Sequence, residues 1–440
     1  MTANLVAGDG PREGPARAAR SVWARLDRVR WLGPGLVMAA TAIGASHLIL
    51  APTAGAIYGW SLLWLMAFSH AYKYPAFDFG PRYAVATETS LIDGYARVPG
   101  PHGWALWVFL LGTVVQGVTV LAGVLSVAAV VIHAAFPISV LAWCVILGLS
   151  GAWLLWSGRF AGLSAVSKWM LLVLALMTTV AFAATPPPPD AWVELVRPHL
   201  PAGSLVLVAA ILGWMPTGID VAVWHSMWAL ERREVWAERA GVQPGRARRI
   251  LATARVDLWI GYGLSLVLAI MFFALGVAVL HPAGLVPQGA DVAVTIARLY
   301  TGVLGGWALY PFLIAAFFGM VSTTYGVMDG FPRAFADTVP RLWPGAPAEV
   351  RLYWGFLWAT LALAITEIAI LPDPLLLVTV AAVASFLLAP ILSFLNYWCV
   401  TRLIEEPELR PGRALRVWAI AGILCATAAA GVFLYVQFLG

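Results

Sequence analysis

Two ionisable residues, Asp220 and His225, lie inside a strongly apolar stretch at 211–228, which reads ILGWMPTGIDVAVWHSMW. A carboxylate at the centre of a bilayer costs several kcal/mol, roughly 3 on insertion scales, and such residues usually serve a solute or proton pathway. Pro216 lacks a backbone N–H and Gly218 adds backbone freedom, so a helix is expected to break here. Such a break is tolerated at membrane depth only where protein or a water-filled cavity covers it. The stretch therefore predicts half of a solute pathway.

A second interruption lies in the first apolar stretch, at about residues 32–57. Its small and polar residues are Gly44, Ala45, Ser46 and His47. Matched interruptions in corresponding helices are typical of transporters built from inverted repeats, in which the substrate lies between the unwound turns. The two stretches together predict one substrate site near the middle of the membrane.

The predicted substrate site consists of Gly44, Ala45, Ser46, His47, Met215, Pro216, Thr217, Gly218 and Asp220. Asp220 and Met215 are its candidate metal ligands, although Asp220 could pair with another helix and methionine also fills irregular gaps in a core. His47 and His225 are candidates for a proton pathway because imidazole titrates near neutral pH. Each histidine could instead hold a structural hydrogen bond.

Other polar residues in apolar stretches receive weaker assignments. Residues 322–325 and Asp329 are candidates for a cavity wall and for a charge at its inner mouth. Lys73 and Glu367 receive no site role, because a partner or an extended side chain reaching the interface could satisfy either one.

The composition requires a membrane protein. Of 440 residues, 61% are hydrophobic and 11% are charged, whereas soluble domains carry roughly 25% charged residues. Apolar stretches long enough to span the bilayer recur along the chain and predict eleven transmembrane helices, with the first and sixth broken. The basic residues are scattered between these stretches, which argues against a nucleic-acid partner and makes the lipid bilayer the main one.

The basic residues also predict the topology. With the N-terminus in the cytoplasm, every Lys and Arg except Arg197 and Arg298 falls on the cytoplasmic side, as the positive-inside rule expects. This orientation places the C-terminus outside, most simply in a bacterial inner membrane. The predicted organisation is a cytoplasmic tail at 1–30 and a single transmembrane domain at 31–440. That domain divides into repeats at 31–185 and 203–402 and an extra helix at 414–440.

The chain resembles the Nramp family of divalent metal transporters from about Leu32 to Leu439. The resemblance is carried by LGPGLVMAA and YGWSLLW around the first helix, RYAVATETSLIDGYARV after the second, GWMP in the sixth and STTYGVMDGF in the eighth. It implies an all-α LeuT-type fold with five-plus-five inverted repeats, and a transporter that needs no cofactor and carries a divalent cation as its substrate.

The sequence departs from the family pattern at the metal site. In metal-transporting members the first helix carries Asp-Pro-Gly-Asn, and residues 44–47 stand at that place, so the anionic ligand is replaced by Gly44. Met215 and Pro216 are kept, but Thr217 and Gly218 replace the usual His and Asn. The acidic pair of the third helix, associated with proton transfer, has no counterpart, so we expect proton coupling to be weak or absent.

These departures favour Mg²⁺, with Mn²⁺ as a second choice, because a wide site with few direct ligands suits an ion that dehydrates reluctantly. The resemblance to magnesium-transporting Nramp relatives implies the same ion. Two alternatives are a transporter of a small organic solute on the same fold and a relative that transports nothing. An enzyme is not expected, since the sequence shows no nucleophile with a base, zinc motif or phosphate loop.

Overall fold

α-Helices make up most of the protein in the computed structural model, which describes residues 33–158, 160–240 and 245–439. The predicted tail at 1–30 lies outside these ranges. In chain order the helices are α1 Pro34–Ala42, α2 Ala51–Tyr58, α3 Leu63–Thr87, α4 Leu91–Ala96, α5 Trp104–His133, α6 Val140–Trp156, α7 Phe160–Ala184, α8 Leu205–Trp214, α9 Asp220–Ala240, α10 Arg246–Leu275, α11 Val292–Leu304, α12 Leu309–Leu342, α13 Glu349–Ile370, α14 Pro374–Arg402 and α15 Arg413–Phe438.

Much of the described chain has the length and composition of membrane spans. Seven helical stretches are long and apolar enough to cross a bilayer, and four shorter apolar helices of 10–17 residues accompany them. The protein is therefore an integral membrane protein. The count of eleven spans stays a prediction, as do the bounds of the two repeats.

The first and sixth predicted spans are both broken, as the sequence predicts. After α1 the backbone leaves the helix at residues 43–44, and a π-helical turn at Ser46–Leu50 then leads into α2. In the sixth span, α8 ends at Trp214 and α9 begins at Asp220, with Met215 in an extended conformation between them. Pro216 and Gly218 lie in this gap, where the missing N–H and the absent side chain were expected to act.

The second span is longer than predicted. The sequence predicts an end near Phe77, where apolar residues give way to DFGPR, but α3 continues to Thr87 with Pro81 inside the extension. Asp78 and Arg82 lie one turn apart on this extension and form a buried ion pair with an N–O distance of 2.7 Å. The pair neutralises both charges, so the polar sequence after Phe77 can remain a buried helix.

The sequence does not predict α11, which lies between α10 and α12 in the chain. One face of this short helix is buried, and its Tyr300 ring stacks on Phe312 of α12. The Tyr300 hydroxyl bonds to Thr178 of α7 at 2.8 Å. The helix was missed because it is too short to resemble a membrane span.

The start of α1 is fixed against α10 by a carboxylate and two glycines. Asp257 of α10 accepts hydrogen bonds from the backbone N–H groups of Gly33 (3.0 Å) and Gly35 (2.6 Å), where the positive end of a helix favours a negative charge. A Cβ on Gly35 would lie 2.1 Å from the Asp257 carbonyl oxygen, and one on Gly261 would lie 2.1 Å from the Gly35 carbonyl oxygen. The glycines of the GPG sequence at 33–35 therefore allow α1 to cross α10 at close range.

The unbroken helices surround the two broken ones. On one side, α3 packs against α9 and α10, and α10 also packs against α1. On the other side, α5 packs against α12 and α14, and α14 packs against α8. This arrangement brings the breaks of the first and sixth spans together inside the bundle.

Candidate functional site

A cavity lies where the two breaks face α5, α12 and α14. Its lining residues are Thr41, Ala42, Ala45, Ser46, Val120, Val124, Trp214, Thr217, Gly218, Asp220, Val221, Trp224, Thr323, Val327, Phe331 and Ser385. The space open to the centres of water molecules is about 40 Å³. Since one water needs about 10–15 Å³ by this measure, the cavity can hold roughly three waters or a small solute.

Asp220 is the one ionisable residue among the described side chains that line this cavity. It is the first residue of α9 and is 6% exposed. Its carboxylate belongs to the N-terminal residue of the helix, the end at which the helix dipole stabilises a negative charge. A Cβ on Gly218 would lie 2.2 Å from Asp220 Oδ1, so glycine at 218 is what allows the carboxylate to take this position.

A chain of hydrogen bonds forms another part of the cavity wall. Trp214, at the end of α8, donates its indole N–H to Ser385 Oγ of α14 at 2.9 Å. Ser385 in turn donates to the side-chain oxygen of Gln116 on α5 at 2.8 Å. The chain joins three helices around the cavity and adds a hydroxyl oxygen to its lining.

The histidine of the first break points away from the cavity. His47 Nδ1 lies 3.0 Å from Ser46 Oγ, and His47 Nε2 lies 3.0 Å from Ser265 Oγ of α10. The same Ser265 hydroxyl lies 3.0 Å from Nε2 of His70 on α3. Ser46, which lines the cavity, is thus connected to two buried histidines. The sequence reading did not include His70 or Ser265.

The sixth-span break receives a second set of bonds from α3. Lys73 Nζ donates to the backbone carbonyl oxygens of Gly213 (2.6 Å) and Thr217 (2.9 Å). The Tyr72 hydroxyl donates to the carbonyl oxygen of Leu212 at 2.5 Å. Lys73 is fully buried and lies within electrostatic range of Asp220. Lys73 has no site role among the sequence-based predictions, although an ionisable residue inside a span is a signal in the sequence.

The structure divides the predicted site residues into two groups. Ala45, Ser46, Thr217, Gly218 and Asp220 line the cavity. The remaining four lie beside it: Gly44 packs against Thr323, His47 faces α10, Met215 is fully buried, and Pro216 follows it in the break.

The weaker candidates lie in different surroundings. Both ring nitrogens of His225 are buried and have no hydrogen-bond partner in the described part of the chain. Within residues 322–325, Thr323 lines the cavity, whereas the Tyr325 hydroxyl bonds to Ser150 at 2.7 Å. Asp329 lies outside the cavity and pairs with Arg333 at 2.7 Å.

The cavity offers oxygen atoms and no compact set of strong metal ligands. Within residues 33–158, 160–240 and 245–439, no three His, Cys, Asp or Glu side chains come together in a way that could hold a metal ion. A cation in the cavity would therefore meet one carboxylate, hydroxyl and carbonyl oxygens, and water.

Two aromatic side chains of the sixth span line the cavity. Trp214 belongs to α8, and Trp224 lies on α9, beyond the break. The ring of Trp224 meets Phe331 of α12 edge to face, with centroids 4.6 Å apart. Each half of the sixth span thus contributes an indole ring to the cavity lining.

A small cavity between two broken membrane helices is the arrangement typical of transporters built from inverted repeats. The chain belongs to the Nramp family: the family model described as natural resistance-associated macrophage protein-like matches residues 35–435. The chain is also 30% identical over 380 residues to an uncharacterized protein of Pasteurella multocida (strain Pm70), covering 83% of each protein. Family membership supports a transporter without a cofactor rather than an enzyme.

Comparison with solved structures confirms the LeuT-type fold. A mutant of the manganese transporter from Eremococcus coleocola superposes with a TM-score of 0.70 at 15% identity, covering 98% of this chain and 89% of that one. MhsT in complex with L-phenylalanine gives a TM-score of 0.60 at 12% identity, covering 92% and 98% of the two chains. Mhp1 with bromovinylhydantoin bound gives 0.55 at 14% identity, covering 92% and 93%. At these identities the likeness concerns the fold.

Proposed function

We propose that this protein moves a divalent cation across the membrane by alternating access, with Mg²⁺ preferred and Mn²⁺ as a second substrate. The proposal rests on Asp220, the single ionisable group among the described residues that line the cavity. Mg²⁺ is commonly bound through one or two carboxylates and retains several waters. One carboxylate, a few hydroxyls and room for waters match that mode of binding.

The preference for Mg²⁺ over Mn²⁺ follows from the position of Met215. A thioether favours softer transition metals, but Met215 is fully buried and does not line the cavity. The lining instead offers hard oxygen atoms from Ser46, Thr217 and Ser385. The Eremococcus coleocola relative, named a manganese transporter, supports divalent cations as the class of substrate.

The membrane placement and the coupling belong to the same proposal. The distribution of basic residues supports a bacterial inner-membrane protein with its N-terminus in the cytoplasm and its C-terminus outside. Residues 104–131 of α5 carry no charged side chain, which supports weak or absent proton coupling. Uptake measured with and without a pH gradient tests the coupling.

Substitution of Asp220 by asparagine tests the substrate site. Asp220→Asn keeps the shape of the side chain and removes its charge, so Mg²⁺ uptake into proteoliposomes should fall at least about tenfold, because a single lost carboxylate contact is worth about 1.4 kcal/mol or more. Met215→Leu is the matched control in the same break, and its uptake should stay within about twofold of wild type, since volume-conserving swaps are tolerated. Uptake that survives Asp220→Asn would remove the proposed site, and a selective loss in Met215→Leu would favour a softer metal.

A small organic solute is the second candidate, and the ammonium of Lys73 favours it. This buried positive charge lies within electrostatic range of Asp220, which weakens the attraction of the cavity for a cation. The indole rings of Trp214 and Trp224 in the cavity lining also suit a neutral solute. Thermal stabilisation by an amino acid or other organic solute, and none by Mg²⁺ or Mn²⁺, would favour this candidate. No stabilisation and no flux with either class would indicate a relative that does not transport.

A further inference from the structure

We propose that Lys73 is a tethered cation: its ammonium group fills a cation site formed by backbone carbonyls at the sixth-span break. Lys73 Nζ bonds to the carbonyl oxygens of Gly213 and Thr217 at 2.6 and 2.9 Å. Gly213 belongs to α8 and Thr217 to the unwound segment, so one nitrogen joins both sides of the gap. The two converging carbonyl oxygens, called the cradle below, are ligands that a small monovalent cation could also use.

The electrostatics of the break explain why a positive charge belongs in the cradle. The last carbonyls of α8 have no partners within their own helix and carry the negative end of its dipole. Lys73 meets this end, while Asp220 lies at the positive end of α9. The two half-helix ends that face each other at the gap are thus each matched by a charge of the chain itself.

The contacts of Lys73 indicate that it lies at the break for a structural reason and not by chance. Lys73 is fully buried, and its Nζ reaches residues 140 and 144 positions away along the chain. The adjacent Tyr72 donates to the next carbonyl of the same helix end, Leu212. Two consecutive residues of α3 therefore satisfy three carbonyls at the break, and only Lys73 does so with a charge. Because lysine has donors and no acceptor, it can take the place of a metal cation at carbonyl oxygens.

It follows that the protein should not need a free monovalent cation to stabilise the sixth-span break. A cradle already filled by an attached ammonium has no place for Na⁺ or K⁺, so neither ion should be needed to hold the break together. The inference concerns the break and not the solute in the cavity, and it holds whichever solute the protein transports.

The test removes the tether and supplies free cations. Lys73→Ala should empty the cradle, so the purified variant in detergent should melt several degrees below wild type in choline chloride. Propylammonium or Na⁺ should then raise its melting temperature, whereas the melting temperature of wild type should not change with either ion. Stabilisation by propylammonium would indicate that an ammonium group is required, and stabilisation by Na⁺ would indicate a general cation site; either supports the proposal.

Two controls keep the test decisive. Lys73→Met fills the space without a charge and should respond to neither cation, and Tyr72→Phe removes the neighbouring hydroxyl and should respond to neither. Absence of rescue in Lys73→Ala, or equal rescue in Tyr72→Phe, would overturn the proposal. If Lys73→Ala does not fold, wild type still decides, because a higher melting temperature in Na⁺ than in choline would contradict a filled cradle. These measurements use stability alone, so they can fail without affecting the uptake test on Asp220, and the reverse also holds.

Discussion

Substitution of Gly35 by alanine would test the close crossing of α1 and α10. The new Cβ would lie 2.1 Å from the carbonyl oxygen of Asp257 and 2.9 Å from the backbone nitrogen of Leu258. These are backbone atoms of a long helix, so they cannot move aside as a flexible side chain would. Either α1 shifts away from α10 or the contact remains strained, and the hydrogen bonds from the Gly33 and Gly35 amides to Asp257 weaken.

The expected magnitude follows from a matched pair of glycines. Overpacking of a well-packed site costs about 1–3 kcal/mol. Gly263, also on α10, has nothing within 4 Å of an added Cβ, so Gly263→Ala should gain about 0.5–1 kcal/mol from helix propensity alone. The two variants should therefore differ by about 1.5–4 kcal/mol in unfolding free energy.

Thermal unfolding in detergent at one fixed scan rate is the suitable assay, because membrane proteins of this size often unfold irreversibly. At the low end of the usual conversion, about 2 °C per kcal/mol, Gly35→Ala should melt about 3–8 °C below Gly263→Ala. Equal melting temperatures for the two variants would refute the steric reasoning and would mean that α1 can leave α10 at little cost.

Two further predictions concern other parts of the bundle. Asp78→Asn should destabilise the protein by about 3–5 kcal/mol in the same thermal assay, because Asp78 is fully buried and the substitution leaves the buried Arg82 without its charge partner. The control Asp190→Asn, at an exposed position, should change the stability by no more than about 0.5 kcal/mol. Similar effects at the two positions would contradict a stabilising role for the Asp78–Arg82 pair. Gly218→Ala should lower divalent-cation uptake about tenfold or more, because its Cβ would lie 2.2 Å from Asp220 Oδ1 and displace the carboxylate. The control is Gly319→Ala on α12, where an added Cβ meets open space. Unchanged uptake in both variants would show that the position of the Asp220 carboxylate does not matter for transport.

The breaks could be predicted from the sequence because their causes are local. Pro216 and Gly218 interrupt the helix through their own backbone chemistry, and the acid four residues after the proline marks the same place. The extension of α3 beyond Phe77 is harder to predict, because Asp78 pairs not only with Arg82 of the same helix but also with Arg255 of α10, 177 residues further along the chain. Periodicity and composition report what one segment prefers and not which charge it meets.

The residues around the cavity also differ in whether the sequence alone predicts their role. Asp220 stood out because a carboxylate in an apolar stretch is rare. Lys73 carries the same signal, but the sequence does not distinguish a buried partner from a side chain that reaches the interface; its actual partners, Gly213 and Thr217, lie 140 and 144 residues further along the chain. The hydroxyl of Ser265, which joins His47 to His70, gives no signal in the sequence at all, since serine is common in membrane helices.

The two tryptophans of the sixth span restrict how its two halves can move. Trp214 and Trp224 lie on opposite sides of one break, on the two halves of a single interrupted span. Each is held by a different helix: the Trp214 indole N–H donates to Ser385 of α14, and the Trp224 ring meets Phe331 of α12. A change in the angle between the two halves would therefore have to break one of these contacts or move the neighbouring helix with it.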